Sequence, residues 1–173
     1  SCYLRSKGDG DKALLAAQPE VAVTLLQPSV VFGAGDAFLN MFARLLRTAP
    51  FFPLACADAL FQPVWVEDVA RVVDACLDHP ESRGQTYPLG GAKVYTLRQL
   101  VEFCGAATGH PRPVIALPPA LGRLQAWLLE HAPGKPMSRD NLRSMRVPSV
   151  CPGPALPFGF TPAAMEAIAF RQP

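Results

Sequence analysis

Tyr3 and Lys7 stand four residues apart, with Ser6 between them, in the opening segment SCYLRSKGDG. Positions i and i+4 share one face of a helix, so a phenol and an ammonium placed there approach one ligand together. A nearby ammonium favours the phenolate, and a phenol tuned in this way exchanges a proton with a substrate hydroxyl or carbonyl. That is the proton half of a hydride transfer. The other residues able to do chemistry are dispersed. Cys2, Cys56, Cys76, Cys104 and Cys151 are odd in number and form no Cys-x-x-Cys pair, which suits reduced, mostly structural thiols. His79, His110 and His131 share no ligand spacing, and we assign no metal.

The elements that must position these groups alternate. Residues 3–17 predict a helix, although Gly8 and Gly10 each weaken it by about 1 kcal/mol relative to alanine. After Pro19, VAVTLLQPSVVFG is an apolar, β-branched run broken by Pro28 and closed by Gly33, as in a strand covered on both faces. FLNMFARLLR then sets Phe38, Met41, Phe42, Leu45 and Leu46 on one helix face, stopped by Pro50 and Pro53. A short strand over Val64 to Val66 leads into a helix with Val69, Val72, Val73 and Cys76 on one side.

QTYPLGG predicts a further strand and turn. Thr96 and Gln99 make a capping box for a helix that turns Leu97, Leu100, Val101 and Cys104 inward and ends at Gly109. PVIALP is a short strand, and Pro118-Pro119 starts a helix carrying Leu121, Leu124 and Leu128 on one face beside Trp127. PGKP makes a turn, Ser138 caps a short helix with a stripe of Arg139, Arg143 and Arg146, and an apolar helix near Met165 and Ile168 closes the chain. Strands alternating with helices predict an α/β fold with a mainly parallel sheet. FGAGD holds a Gly-x-Gly but lacks the third glycine and the ribose-binding carboxylate of a dinucleotide cradle, so it reads as a loop.

At 173 residues, half of them apolar and 17% charged, the chain has material for one sizeable core and no apolar run of membrane-spanning length. Residues 1–79 carry six basic and nine acidic groups, and residues 80–173 carry ten and five. No Lys/Arg run or aromatic platform accompanies the basic surplus, which argues against nucleic acid as a partner.

Taken together, YLRSKGDGDKALL, VTLLQPSVVFGAGD, VWVEDVARVV and TYPLGGAKVYTLRQLVEF resemble, in order and spacing, the second half of an extended or atypical short-chain dehydrogenase/reductase of the NAD-dependent epimerase/dehydratase family. ALPPALGRLQAWLLEHAPGKPMSRDNLRSM is most similar to the branch that includes the nucleotide-binding accessory subunit of respiratory complex I and its bacterial relatives. The resemblance implies a fragment: the C-terminal portion of a Rossmann-type parallel sheet, plus a small mixed α/β subdomain on the substrate side. Residues 1–36 would complete the dinucleotide-binding domain and 37–173 form the substrate-side subdomain, with elements around 84–109 returning to the sheet.

By the same resemblance Tyr3 is the proton donor and acceptor, and Lys7 binds the nicotinamide ribose. Gln27, Pro28, Ser29 and Val31 pack near the nicotinamide of NAD or NADP. Gly33 and Asp36 begin the substrate side, and Asp68 is the acid of the VxDVA motif, where a structural role at a helix start weighs as much as substrate contact. Trp65, standing where relatives often have histidine or another polar aromatic, departs from the pattern. The glycine-rich phosphate turn would lie upstream of Ser1, so this chain alone is expected to be inactive. A half-sheet with an open edge and an apolar face predicts self-association.

Two functions follow from the resemblance. One is an NAD(P)-dependent oxidoreductase or epimerase acting on a small molecule such as a nucleotide sugar. The other is a non-catalytic NADPH-holding accessory or assembly protein. Arg139, Arg143 and Arg146, with Lys135 nearby, suit an acidic protein or a membrane surface, against the plainer reading of a solvated helix face. A cytoplasmic location, peripheral to a membrane where that stripe meets one, is the matching expectation.

Overall fold

Among the described residues four short ladders carry the strand pairing. Three are parallel, as the alternation of strands and helices requires. A computed structural model describes residues 1–18, 20–132, 137–153 and 155–168. β1 (Leu25–Pro28) lies parallel to β6 (Thr86–Leu89), with Leu25 opposite Thr86 and Pro28 opposite Leu89. β2 (Val31–Phe32) is parallel to β5 (Val64–Trp65), and β3 (Phe52–Leu54) to β8 (Val114–Ala116). β4 (Leu60–Phe61) and β7 (Tyr95–Thr96) run antiparallel.

The helices are α1 (Cys2–Ala16), α2 (Ala37–Thr48), α3 (Val66–Asp78), α4 (Leu97–Ala107), α5 (Pro119–Glu130), α6 (Arg139–Ser144) and α7 (Met165–Ile168). The main core joins α2 and α4 to Phe32, Phe52, Leu54, Phe61 and Tyr95. Phe42 meets Phe38 edge-on at 5.1 Å between ring centroids and Phe52 at 6.0 Å, a geometry that favours aromatic rings beyond the area they bury. A second cluster gathers Val64 of β5, Val72 of α3, Leu89 of β6 and Leu156. Phe158 stacks on His79 at 4.6 Å and fixes the late segment to the end of α3.

Local signals in the sequence produce the expected ends. Thr96 and Gln99 form a capping box, the hydroxyl accepting from the Gln99 N–H and the Gln99 side chain accepting from the Thr96 N–H. Leu97, Leu100, Val101 and Cys104 are all buried. Ser138 caps α6 in the same way with Asn141. The PGKP turn, with Lys135, lies outside the described residues.

α5 departs from its pattern. Leu121, Leu124, Trp127 and Leu128 face outward, and the helix buries Gly122 and Ala126 instead. The reason is close approach: a Cβ on Gly122 would stand 3.0 Å from that of Ala55, so only the small-residue face fits against the body. α1 goes further and buries no residue at all. Among the described residues no helix is long and apolar enough to cross a membrane.

Candidate functional site

The Tyr3–Lys7 pair forms on one helix face, as its spacing requires. Ser1 caps α1 by accepting from the Leu4 N–H. The Tyr3 side chain is 58% exposed, and the Lys7 ammonium lies over its ring, 5.8 Å from the centroid. This is a cation–π arrangement.

Two polar ties hold α1 against the rest of the molecule. The N–H groups of Cys2 and Tyr3 donate to the two carboxylate oxygens of Asp140 on α6, at 2.9 and 3.0 Å. The Gln27 amide donates to Asp11 at 2.7 Å, joining β1 to the middle of the helix. The Tyr3 N–H first, and the Cys2 N–H second, hold the Asp140 carboxyl below its ordinary range. A lowered folded-state value means the anchor is complete at neutral pH and is lost as pH falls through that lowered value. Asp140→Ala should therefore lower amide protection factors along α1 and leave α4 unchanged, and acidification of the native protein should do the same once rates are referred to the intrinsic rate at each pH. Hydrogen exchange resolved by residue checks both.

The remaining residues assigned from sequence divide among different tasks. Ser29 donates to the Ser149 carbonyl at 2.7 Å, lies 2.9 Å from the Ser149 hydroxyl and accepts from the Gln62 N–H, so its oxygen ties β1 to the late segment. Pro28 and Val31 sit in their ladders opposite Leu89 and Val64. Gly33 passes so near Val66 that a Cβ would stand 2.6 Å from its Cγ1. Asp36 caps α2, accepting from the Leu39 N–H at 2.7 Å. Asp68 is fully buried, one oxygen paired with Arg71 and the other accepting from the Ala163 N–H at 2.7 Å. Arg139 pairs with Glu130 at 2.8 Å, while Arg143 and Arg146 remain exposed.

A cavity of about 500 Å³ opens between α2, β3, α5 and α6. Phe38, Met41, Leu45, Phe51, Leu129 and Met145 dominate its wall, and none of the described residues that line it carries a charge. None of the described site residues assigned from sequence lines it. Asp36 adjoins it, since the helix it caps continues directly into the lining residues Ala37 and Phe38. The available signal was the width of the apolar face of α2. Leu39, Phe42, Ala43 and Leu46 suffice for the core, leaving Phe38, Met41 and Leu45 as a second stripe.

With this geometry in hand, similarity to known proteins can be weighed. No family model matches the chain. The mitochondrial NADH dehydrogenase [ubiquinone] 1 alpha subcomplex subunit 9 of Arabidopsis thaliana is 39% identical over 105 residues, 60% of this chain and 26% of that one. The chain thus matches about a quarter of the length of that curated relative.

Among solved structures, the dTDP-glucose 4,6-dehydratase of Bacillus anthracis, in complex with NAD, superposes with a TM-score of 0.58 at 20% identity, covering 68% of this chain and 40% of that one. The epimerase Mth375 of Methanothermobacter thermautotrophicus gives 0.56 at 17%, covering 79% and 41%. At such identities the likeness establishes the fold, an α/β arrangement shared with part of the epimerases and dehydratases. The resemblance expected from the motifs is the one both comparisons return, to complex I subunit relatives in sequence and to epimerase and dehydratase structures in fold.

Proposed function

We propose that the chain is the substrate-side part of a nucleotide-holding protein that serves a respiratory NADH dehydrogenase as an accessory component without turning over a substrate of its own. The observation that carries this reading is the 39% identity to the alpha subcomplex subunit, against 20% and 17% to the two enzymes. The cavity supports it. A nucleotide sugar brings a diphosphate, whose recognition calls for Arg, Lys or clustered backbone donors, and among the described residues none that lines the wall is charged. The exposed apolar residues of α5, together with Leu4 and Leu14 of α1, suit contact with another subunit, and Arg143 and Arg146 suit an acidic neighbour or an anionic membrane surface.

NAD or NADP would be held here in part only. Lys7 and Gln27 are exposed groups on adjoining elements and fit a ribose, the Gln27 carbonyl oxygen remaining available beside the amide that Asp11 occupies. Ser29 fits less well, because its hydroxyl already donates to Ser149. When bound, the nucleotide would supply hydride chemistry in an enzyme, or fold stabilisation by mass action in an accessory protein.

A second reading, an NAD(P)-dependent epimerase or dehydrogenase, is favoured by the shared exposed face of Tyr3 and Lys7. The two part on one variant. Introduced at the native locus, Tyr3→Phe should leave NADH:quinone oxidoreductase assembly and nucleotide retention intact, read by native gel electrophoresis and by nucleotide release from the purified protein. Lys7→Ala should release nucleotide more readily. Loss of a nucleotide-sugar or hydroxy-compound conversion in Tyr3→Phe, with nucleotide still bound, would establish the enzyme instead.

A further inference from the structure

Two carboxylates hold α1 where packing holds the other long helices. Among the described residues α1 buries no side chain, whereas α2 and α4 each key into the core through a buried stripe. The first turn of a helix leaves N–H groups without partners inside the helix, and Asp140 accepts from two of them, those of Cys2 and Tyr3. A negative charge at that end is favoured by the helix dipole as well. Further along, Asp11 accepts from the Gln27 amide at 2.7 Å.

The two ties bracket Lys7. Tyr3, Lys7 and Asp11 stand at i, i+4 and i+8, so they follow one stripe of the helix, tied at its head by Asp140 and at its foot by Gln27. A helix with no buried side chain is free to slide and roll unless such ties fix it, and either motion carries the Lys7 ammonium with it. Asp140 belongs to α6, whose Asn141 lines the cavity, so one short helix serves both the cavity wall and the head of α1. Asp11 has a second effect. By taking the Gln27 nitrogen it leaves the Gln27 oxygen as the end that can accept from a ligand hydroxyl.

We infer, resting on the nucleotide-holding reading above, that Asp140 and Asp11 are positioning residues for the nicotinamide ribose, Asp140 acting through Lys7 and Asp11 through Gln27. Charge makes the sign of the effect diagnostic. NADPH is an anion, so removal of a nearby carboxylate would tighten its binding through charge alone. A loss of affinity on removing Asp140 therefore reports lost position.

The test introduces variants at the native locus and titrates NADPH into the purified protein, read by the fluorescence of the nucleotide. Asp140→Ala should weaken NADPH about tenfold, the worth of one charge-assisted hydrogen bond from Lys7, and Asp140→Asn, which keeps one accepting oxygen, about threefold. Far-UV circular dichroism of Asp140→Ala should stay native, since Ser1 still caps the helix. Lys7→Ala should also cost about tenfold, and Asp140→Ala/Lys7→Ala no more than Lys7→Ala alone, because nothing is then left to position. Asp11→Ala and Gln27→Ala should show the same non-additivity. Asp9→Ala, which removes an exposed carboxylate from the same helix, should not weaken NADPH. Native protein that holds no NADPH would remove the reading above and this assignment with it. NADPH held as tightly by Asp140→Ala as by native protein, losses that multiply in the double variant, or loss of helix in Asp140→Ala would each overturn the assignment alone.

Discussion

Gly91→Ala should destabilise the protein by on the order of 4 kcal/mol, in the range reserved for changes that force the backbone apart. The added Cβ would stand 1.7 Å from the Pro63 carbonyl oxygen, and Pro63 is main chain, so no side chain can rotate away. Nor can the two segments separate cheaply. The Gly91 N–H donates to the Gln62 carbonyl at 3.1 Å, and the Gln62 side chain donates back to the Gly91 carbonyl at 2.8 Å. Gln62 is itself bound to the late segment, its N–H donating to Ser149 and its Oε1 accepting from Cys151. Opening the contact would displace β5, whose Val64 is completely buried. Gly8→Ala, where nothing lies within 4 Å of the new carbon, is the control and should not lower stability. Urea unfolding of both variants decides, and a loss under about 1 kcal/mol for Gly91→Ala would mean the segments are not packed as described.

Gly91 also marks the boundary of what the sequence discloses. QTYPLGG read correctly as a strand and turn, because β-branched and turn residues act on their own neighbours. That the turn needs glycine depends on Pro63, 28 residues away in the chain, and no local rule contains it. The same division runs through the helices. α4 was legible in full, since its cap and its buried stripe are both local properties. α5 was not: its leucines form the more apolar face, yet the tight fit against Ala55 admits only Gly122 and Ala126.

At the site, the shared face of Tyr3 and Lys7 follows from the helical repeat. The anchoring of that helix by Asp140 joins positions 137 and 138 residues apart and had no signature. Ser29 illustrates the cost of reading roles by position, since its hydroxyl belongs to a contact with Ser149, 120 residues away. The thiols divide likewise. Burial pushes Cys104 up to about 12, in keeping with an inert structural role, whereas Cys2 is exposed at the start of α1.

Arg71→Leu should be more damaging than Asp68→Asn, although the two residues form one pair. Asp68 lies 0% exposed in the first turn of α3, and its second oxygen accepts from the Ala163 N–H, while the Arg71 side chain is about half in water and stacks 5.3 Å from the centre of Phe160. Removing the arginine leaves a carboxylate buried with a single N–H for support, a loss of roughly 3 kcal/mol or more. Removing the charge from Asp68 frees Arg71 to turn into solvent, and an asparagine oxygen still accepts from Ala163. That change should cost about 1 to 2 kcal/mol. The double variant Asp68→Asn/Arg71→Leu should then be more stable than Arg71→Leu alone, because neutralising the carboxylate removes the penalty that the arginine had offset. Urea unfolding of the four proteins measures the cycle, and the sign of the coupling separates two roles for the acid of VEDVA. If Asp68→Asn instead leaves stability untouched and abolishes ligand binding or turnover, the carboxylate acts on substrate, and the burial that shields it must open for it to do so.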